Sequence, residues 1–164
     1  MALTQDRSHG RALAALVDRI EAKLGEGSAV RPALRESHIP ERSEAWTGMG
    51  TGAKPSAPGE SADGPPRPLF LFDPPEPIET LAGVPDSAPV HFVWRRVTRR
   101  VFRAEGPERL SPEWWRAKAD PERTRDYYRV EDEDGRRYWL YREGLYGRED
   151  ETRRPSWWMH GVFV

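Results

Sequence analysis

The sequence predicts an α+β chain that is mainly β: a small antiparallel sheet or partial barrel, preceded by a helix, a strand and a disordered linker. Three observations predict it. Residues 125–147, RDYYRVEDEDGRRYWLYREGLYG, alternate apolar and charged residues on both sides of an acidic glycine turn, the pattern of a β-hairpin. From Arg67 onward, short aromatic and β-branched runs are punctuated by proline and glycine. Only one stretch, Arg11 to Leu24, repeats its apolar residues at helical spacing.

In chain order, Leu13, Leu16, Val17, Ile20 and Leu24 form the stripe of an amphipathic helix over about 8–24, with Asp6 or Ser8 as candidate N-caps and Gly25 as its C-terminal stop. A short strand follows at about 29–35. It is too short to cover the stripe, so residues 1–43 read as the end of a larger domain. Residues 44–66 replace nearly every large apolar side chain with Gly, Pro, Ser and Ala, the composition of a flexible linker that cannot offset its ordering entropy. Residues 67–164 then read as a β-rich domain, with strands at 68–72, 90–94, 97–104, the hairpin and 157–164. Prolines 74, 75 and 77, then 85 and 89, are expected to confine the intervening strand to an edge or break it into loops. Ser111 caps a turn over 111–117, opened by Pro112 and carrying Trp114 and Trp115. The expected core is Leu69, Leu71, Phe92, Trp94, Val101, Trp115, Tyr128, Val130, Leu140, Trp158, Val162 and either Tyr138 or Phe163.

The hairpin register follows from charge. A three-residue loop of Glu133, Asp134 and Gly135 sets Asp132 opposite Arg136, Glu131 by Arg137, Asp126 by Arg142 and Arg125 by Glu143. A two-residue loop would set Asp126 against Glu143. The three-residue register places Tyr128, Val130, Tyr138 and Leu140 on one face and Tyr127, Arg129, Trp139 and Tyr141 on the other. The second face is either core beneath the last strand or an open platform for a partner.

With 164 residues the chain has material for one sizeable core. A net charge of −1 gives no overall attraction to nucleic acid, so such affinity must come from local clusters. The absence of cysteine removes disulfides and thiolate chemistry and fits a cytoplasmic location. No run approaches a signal peptide or a membrane span. His9, His38, His91 and His160 have no partner at metal-ligand spacing, and the 131–134 carboxylates lack the closing acid of a cation loop; no metal or cofactor is expected. No nucleophile, phosphate-loop or dinucleotide motif is present, which points away from an enzyme. One cluster remains. In WRRVTRRVFR, Arg95, Arg96, Arg99, Arg100 and Arg103 fall together without an acid, either as a phosphate-tracking strip beside stackable aromatics or as an edge strand neutralised by nearby glutamates.

The blocks RPLFLFDPPEPIE, AEGPERLSPEWWR, the hairpin and the closing WWMHGVFV occur in that order and closely resemble the carboxy-terminal region of ImuB-type proteins, the Y-family DNA polymerase homologues of bacterial damage-induced (SOS) mutagenesis. Residues 11–42, ending in RPALRESHIPER, look like the last helix and strand of a little-finger domain. The resemblance implies a non-catalytic adaptor in translesion synthesis, in contact with a RecA-like accessory protein, an error-prone replicative-type polymerase subunit and the sliding clamp. Fingers, palm and thumb would lie upstream of Met1, so the chain looks amino-terminally truncated, as a gene fragment, a split-gene half or an inactive remnant. The clamp motif does not carry over, because Gln5 is remote from the linker and Pro68 to Phe72 lacks the glutamine.

Overall fold

The computed structural model describes residues 2–49, 65–82, 87–116, 123–145 and 155–163, and the chain divides into two compact units, Met1–Gly64 and Pro65–Val164. In the first, helix α1 spans Ala2–Leu24. It begins before Asp6 and Ser8, which therefore lie inside it and do not cap it. Gly25, at φ 100°, closes it by donating its N–H to the Glu21 carbonyl at 2.9 Å, a conformation that costs glycine little. Val17 is buried, whereas Leu13, Leu16 and Leu24 stay about half exposed or more. Strand β1 (Val30–Leu34) pairs antiparallel with β2 (Glu44–Gly48), with Pro32 opposite Trp46. The β2 segment corrects the composition reading, which assigned these residues to the linker. The register satisfies its backbone despite the small side chains. Residues 51–64, the heart of the expected linker, lie outside the described residues.

The second unit is a closed antiparallel barrel of six strands in sequence order: β3 (Phe70–Ala82), β4 (Pro89–Trp94), β5 (Val97–Leu110), β6 (Arg125–Asp132), β7 (Arg137–Glu143) and β8 (Ser156–Phe163), with β8 returning to β3. The mainly β class holds, and the sheet closes fully, which removes its free edges. The hairpin of β6 and β7 adopts the charge-matched register, with Glu131 opposite Arg137, Asp126 opposite Arg142 and Arg125 opposite Glu143. The Asp132 N–H donates to the Arg136 carbonyl at 2.9 Å across the loop, and Gly135 takes its positive φ.

The prolines were misleading. β3 runs through Pro74, Pro75 and Pro77 as one strand: its ladder to β8 breaks between Leu71 and Glu76, where no N–H is required of Pro74 and Pro75, while Pro77 stands within the resumed ladder opposite Trp158. β5 extends to Leu110 through two irregularities, one at Gly106, where a Cβ would sit 2.6 Å from the Tyr127 carbonyl oxygen. Gly161 has a similar role: a Cβ there would meet the Phe70 carbonyl oxygen at 2.5 Å, so β3 approaches β8 only over a bare Cα.

Inside the barrel, Ile78, Phe92, Tyr128, Val130, Tyr138, Leu140, Trp157 and Met159 form the core, with Phe72, Trp94, Val101 and Val162 packed against it. The expected core thus needs three corrections. Leu69, Leu71 and Trp115 are exposed. Phe72 turns inward in place of the leucines. In the Ser111 turn, Glu113 is buried and ion-paired to Arg116, so Trp114 and Trp115 face solvent, edge to face with each other.

Candidate binding site at the barrel mouth

The outer hairpin face is covered. Tyr127, Trp139 and Tyr141 are 1–3% exposed and form a second apolar cluster with Leu110, Trp158 and Phe163. Tyr127 stacks on Trp139 at 4.2 Å between centroids, and the buried His160 stacks on Trp139 and shares a 2.8 Å hydrogen bond through Nδ1 with the Tyr127 hydroxyl. The roof comes from the entering chain. The Arg67 guanidinium lies 4.8 Å over Trp139 and is ion-paired to Glu108, Pro68 sits against Gly161, and Arg125 lies over Tyr141. Arg129 is half-buried and ion-paired to Glu105. These rings are core, and a partner reaching this face would meet their cover.

The arginine cluster is not one strand. Arg95 and Arg96 are the two-residue turn between β4 and β5, since Trp94 pairs with Val97, and both have positive φ (49° and 67°). That is the backbone of a primed hairpin turn, normally given to asparagine and glycine. Arg95 is fixed by a two-pronged contact with Glu76, at 2.6 and 3.0 Å, whose carboxyl is held below the usual range chiefly by that arginine. Arg99 meets Asp132 at 3.1 Å, Arg100 meets Glu133 at 3.1 Å, and Arg103 meets Glu105 at 2.8 Å. Among the described residues only Arg96 of the five lacks a carboxylate partner. Four of the five arginines are thus ion-paired, Arg95 in the turn and the others on a strand paired on both sides in a closed barrel and not on an edge.

What sequence reasoning missed is a concavity at one mouth of the barrel. A cavity of about 410 Å³ opens between the ends of β4, β5, β7 and β8, lined by Trp94, Arg99, Gly135, Arg136, Arg137, Tyr138, Val162 and Phe163. Its floor is fixed by Asp132. Oδ1 accepts the N–H groups of Asp134 and Arg136 at 3.0 and 2.9 Å, and Oδ2 accepts the Tyr138 hydroxyl at 2.8 Å and Arg99 at 3.1 Å. Burial pushes this carboxyl up, but the hydrogen bonds outweigh it and hold it below the ordinary range. Burial, followed by the bond to Asp132, pushes the Tyr138 phenol up to about 12. Trp94 is held in turn by Glu76, which accepts its indole N–H at 2.7 Å. No signal in the sequence marks this cavity, since its walls come from four separate strands and the β6–β7 turn. Among the described residues no group of three or more His, Asp or Glu is placed to hold a metal ion.

Fold and surface define a small closed β-barrel with a preformed aromatic and cationic mouth, accompanied by a helix-and-hairpin unit. Over 157 residues the chain is 45% identical to protein ImuB of Caulobacter vibrioides strain NA1000 / CB15N, and equally to that of strain ATCC 19089 / CIP 103742 / CB 15. The match covers 92% of this chain and 33% of each ImuB, so the chain spans about a third of the length of the curated relatives it matches. The resemblance to ImuB-type proteins thus extends over most of the chain. No family model and no solved structure matches it.

Proposed function

We propose that the chain is a non-catalytic adaptor of DNA-damage-induced mutagenesis, whose β-barrel makes protein contacts within a translesion-synthesis complex. The observation that carries this is the 45% identity to ImuB across nearly the whole chain. By the same resemblance its partners are a RecA-like accessory protein and an error-prone replicative-type polymerase subunit, acting in the cytoplasm; the sliding clamp is set aside for want of its motif. By the same resemblance, residues 1–43 are read as belonging to a little-finger-like domain. No helix among the described residues is long and apolar enough to cross a membrane.

The test is retention of the accessory protein and the polymerase subunit, both from the same organism, on the immobilised chain. Retention of at least one is expected. Loss of both, with the barrel shown folded by its near-ultraviolet tryptophan signal, would sink the reading.

A further inference from the structure

We infer that the barrel mouth is the docking site for a short acidic peptide segment bearing a bulky apolar anchor, the anchor filling the cavity against Trp94, Tyr138 and Phe163 and a carboxylate meeting Arg137. The inference rests on the adaptor reading for the claim that the occupant is protein. The cavity, about 410 Å³, falls in the range of preformed ligand sites (roughly 300–1,000 Å³) and admits one or two large side chains, not a folded surface. Its walls are apolar and its rim is cationic, which selects the chemistry of the occupant. Arg137 is exposed, lies 6.0 Å over the Phe163 ring, and has no carboxylate partner among the described residues. Among the described residues the Arg136 guanidinium is paired with Asp134 alone, in an exposed pair of little worth in water. Arg99 is held on Asp132 and adds positive charge behind the rim. Spare donors beside an apolar hollow call for an anion attached to an apolar group.

A peptide fits better than a nucleic acid. Glu133 and Asp134 stand exposed in the turn beside the mouth, so a run of phosphates leaving the cavity would pass carboxylates. A single carboxylate next to its own anchor avoids them. The rigid Asp132 cage holds Tyr138 and the 134–136 turn in place before any partner arrives, which lowers the ordering cost of docking.

The test is an NMR titration of the isotope-labelled full chain with an acetylated, C-terminally amidated tripeptide of one aspartate followed by leucine and phenylalanine. A version with lysine in place of the aspartate, and oligo(dT), serve as the other arms. The acidic peptide is expected to shift the Trp94 indole and the amides of Gly135, Arg136, Arg137 and Phe163, and to bind about tenfold more weakly to Arg137→Gln. Arg103→Gln, on the outer wall, should bind as the unaltered chain does. No shift at the mouth, equal binding of the lysine peptide, or mouth shifts produced by oligo(dT) in preference overturns the inference. Phe163→Ala also loosens the second cluster, so Arg137→Gln, at an exposed position, decides. Partner retention separates the two readings. A partner held equally by the unaltered chain and by Arg137→Gln leaves the adaptor standing and removes the mouth, whereas no partner held by either removes the adaptor while the peptide titration still reports on the mouth.

Discussion

Two aspartates of the same strand hold the barrel from inside. Asp126 is fully buried and receives Arg109 through two bonds, at 2.6 and 2.9 Å, and the equally buried Arg142 at 2.7 Å; Asp132 anchors the opposite end of β6 through four bonds. The sequence paired Asp126 with Arg142 correctly, as a charged rung that sets the register, without showing that the rung is buried. Alternation alone cannot say that a charged rung faces inward. Asp126→Asn keeps the shape and leaves Arg142 buried without its counter-charge, so a loss of about 3–5 kcal/mol is expected in urea unfolding, partly recovered by adding Arg142→Met. Both carboxyls are held below their ordinary 3.8, burial opposing and the arginines and hydrogen bonds prevailing. A depressed carboxyl stabilises the fold above its unfolded value, and that contribution is lost as pH falls through the folded value. Stability should therefore fall below about pH 4, and more shallowly in Asp126→Asn. Tyr138 has the opposite sign. Its phenol is raised from 10 to about 12, so its contribution is present below pH 10 and is lost as pH climbs toward 12, a loss that Tyr138→Phe abolishes in an alkaline titration.

At the scale of elements, what was legible depended on whether the signal was local. The β6–β7 hairpin was readable because charges, alternation and an acidic glycine turn agreed on one register. β3 was not, because proline is judged by its missing N–H, and only the tertiary pairing shows that the ladder to β8 is interrupted where Pro74 and Pro75 stand. Strand bounds of 90–94 and 97–104 left Arg95 and Arg96 between them, but their turn type was not legible: propensity offers no cue for a primed turn without asparagine or glycine. Arg95 is compensated by Glu76 and by the faces of Trp94 and Phe72. Arg96 has no such compensation. Left-handed backbone costs a residue with a Cβ roughly 1–2 kcal/mol, so Arg96→Gly should stabilise the chain by about 1 kcal/mol, read as a raised midpoint at unchanged denaturant slope. A destabilised Arg96→Gly would mean that its side chain contributes packing that the geometry does not contain. The mouth lies at the far end of the same scale. Trp94, Tyr138 and Phe163 were each visible as aromatics, yet their convergence is a property of barrel closure and of no single segment.

For the molecule as a whole, electrostatics is decided by pairing more than by composition. The chain carries 26 basic and 27 acidic residues, and the strip that reads as most basic is largely spoken for. Single-strand binding shows a salt slope of about −0.7 per phosphate neutralised, so five available arginines would give roughly −3.5, whereas Arg96 alone would give about −0.7. Breaking the others away from Glu76, Asp132, Glu133 and Glu105 to engage phosphate would exchange one ion pair for another. The exchange is least favourable at Arg99, whose partner Asp132 also holds the turn and Tyr138. The expected result for oligo(dT) is weak binding with a slope no steeper than about −1, little altered by Arg100→Ala. A slope near −3.5 that collapses in Arg96→Ala with Arg100→Ala would instead show that the carboxylates release the strip to nucleic acid. The barrel would then work by exchanging internal for external anions, and the acidic turn would act as its competitor.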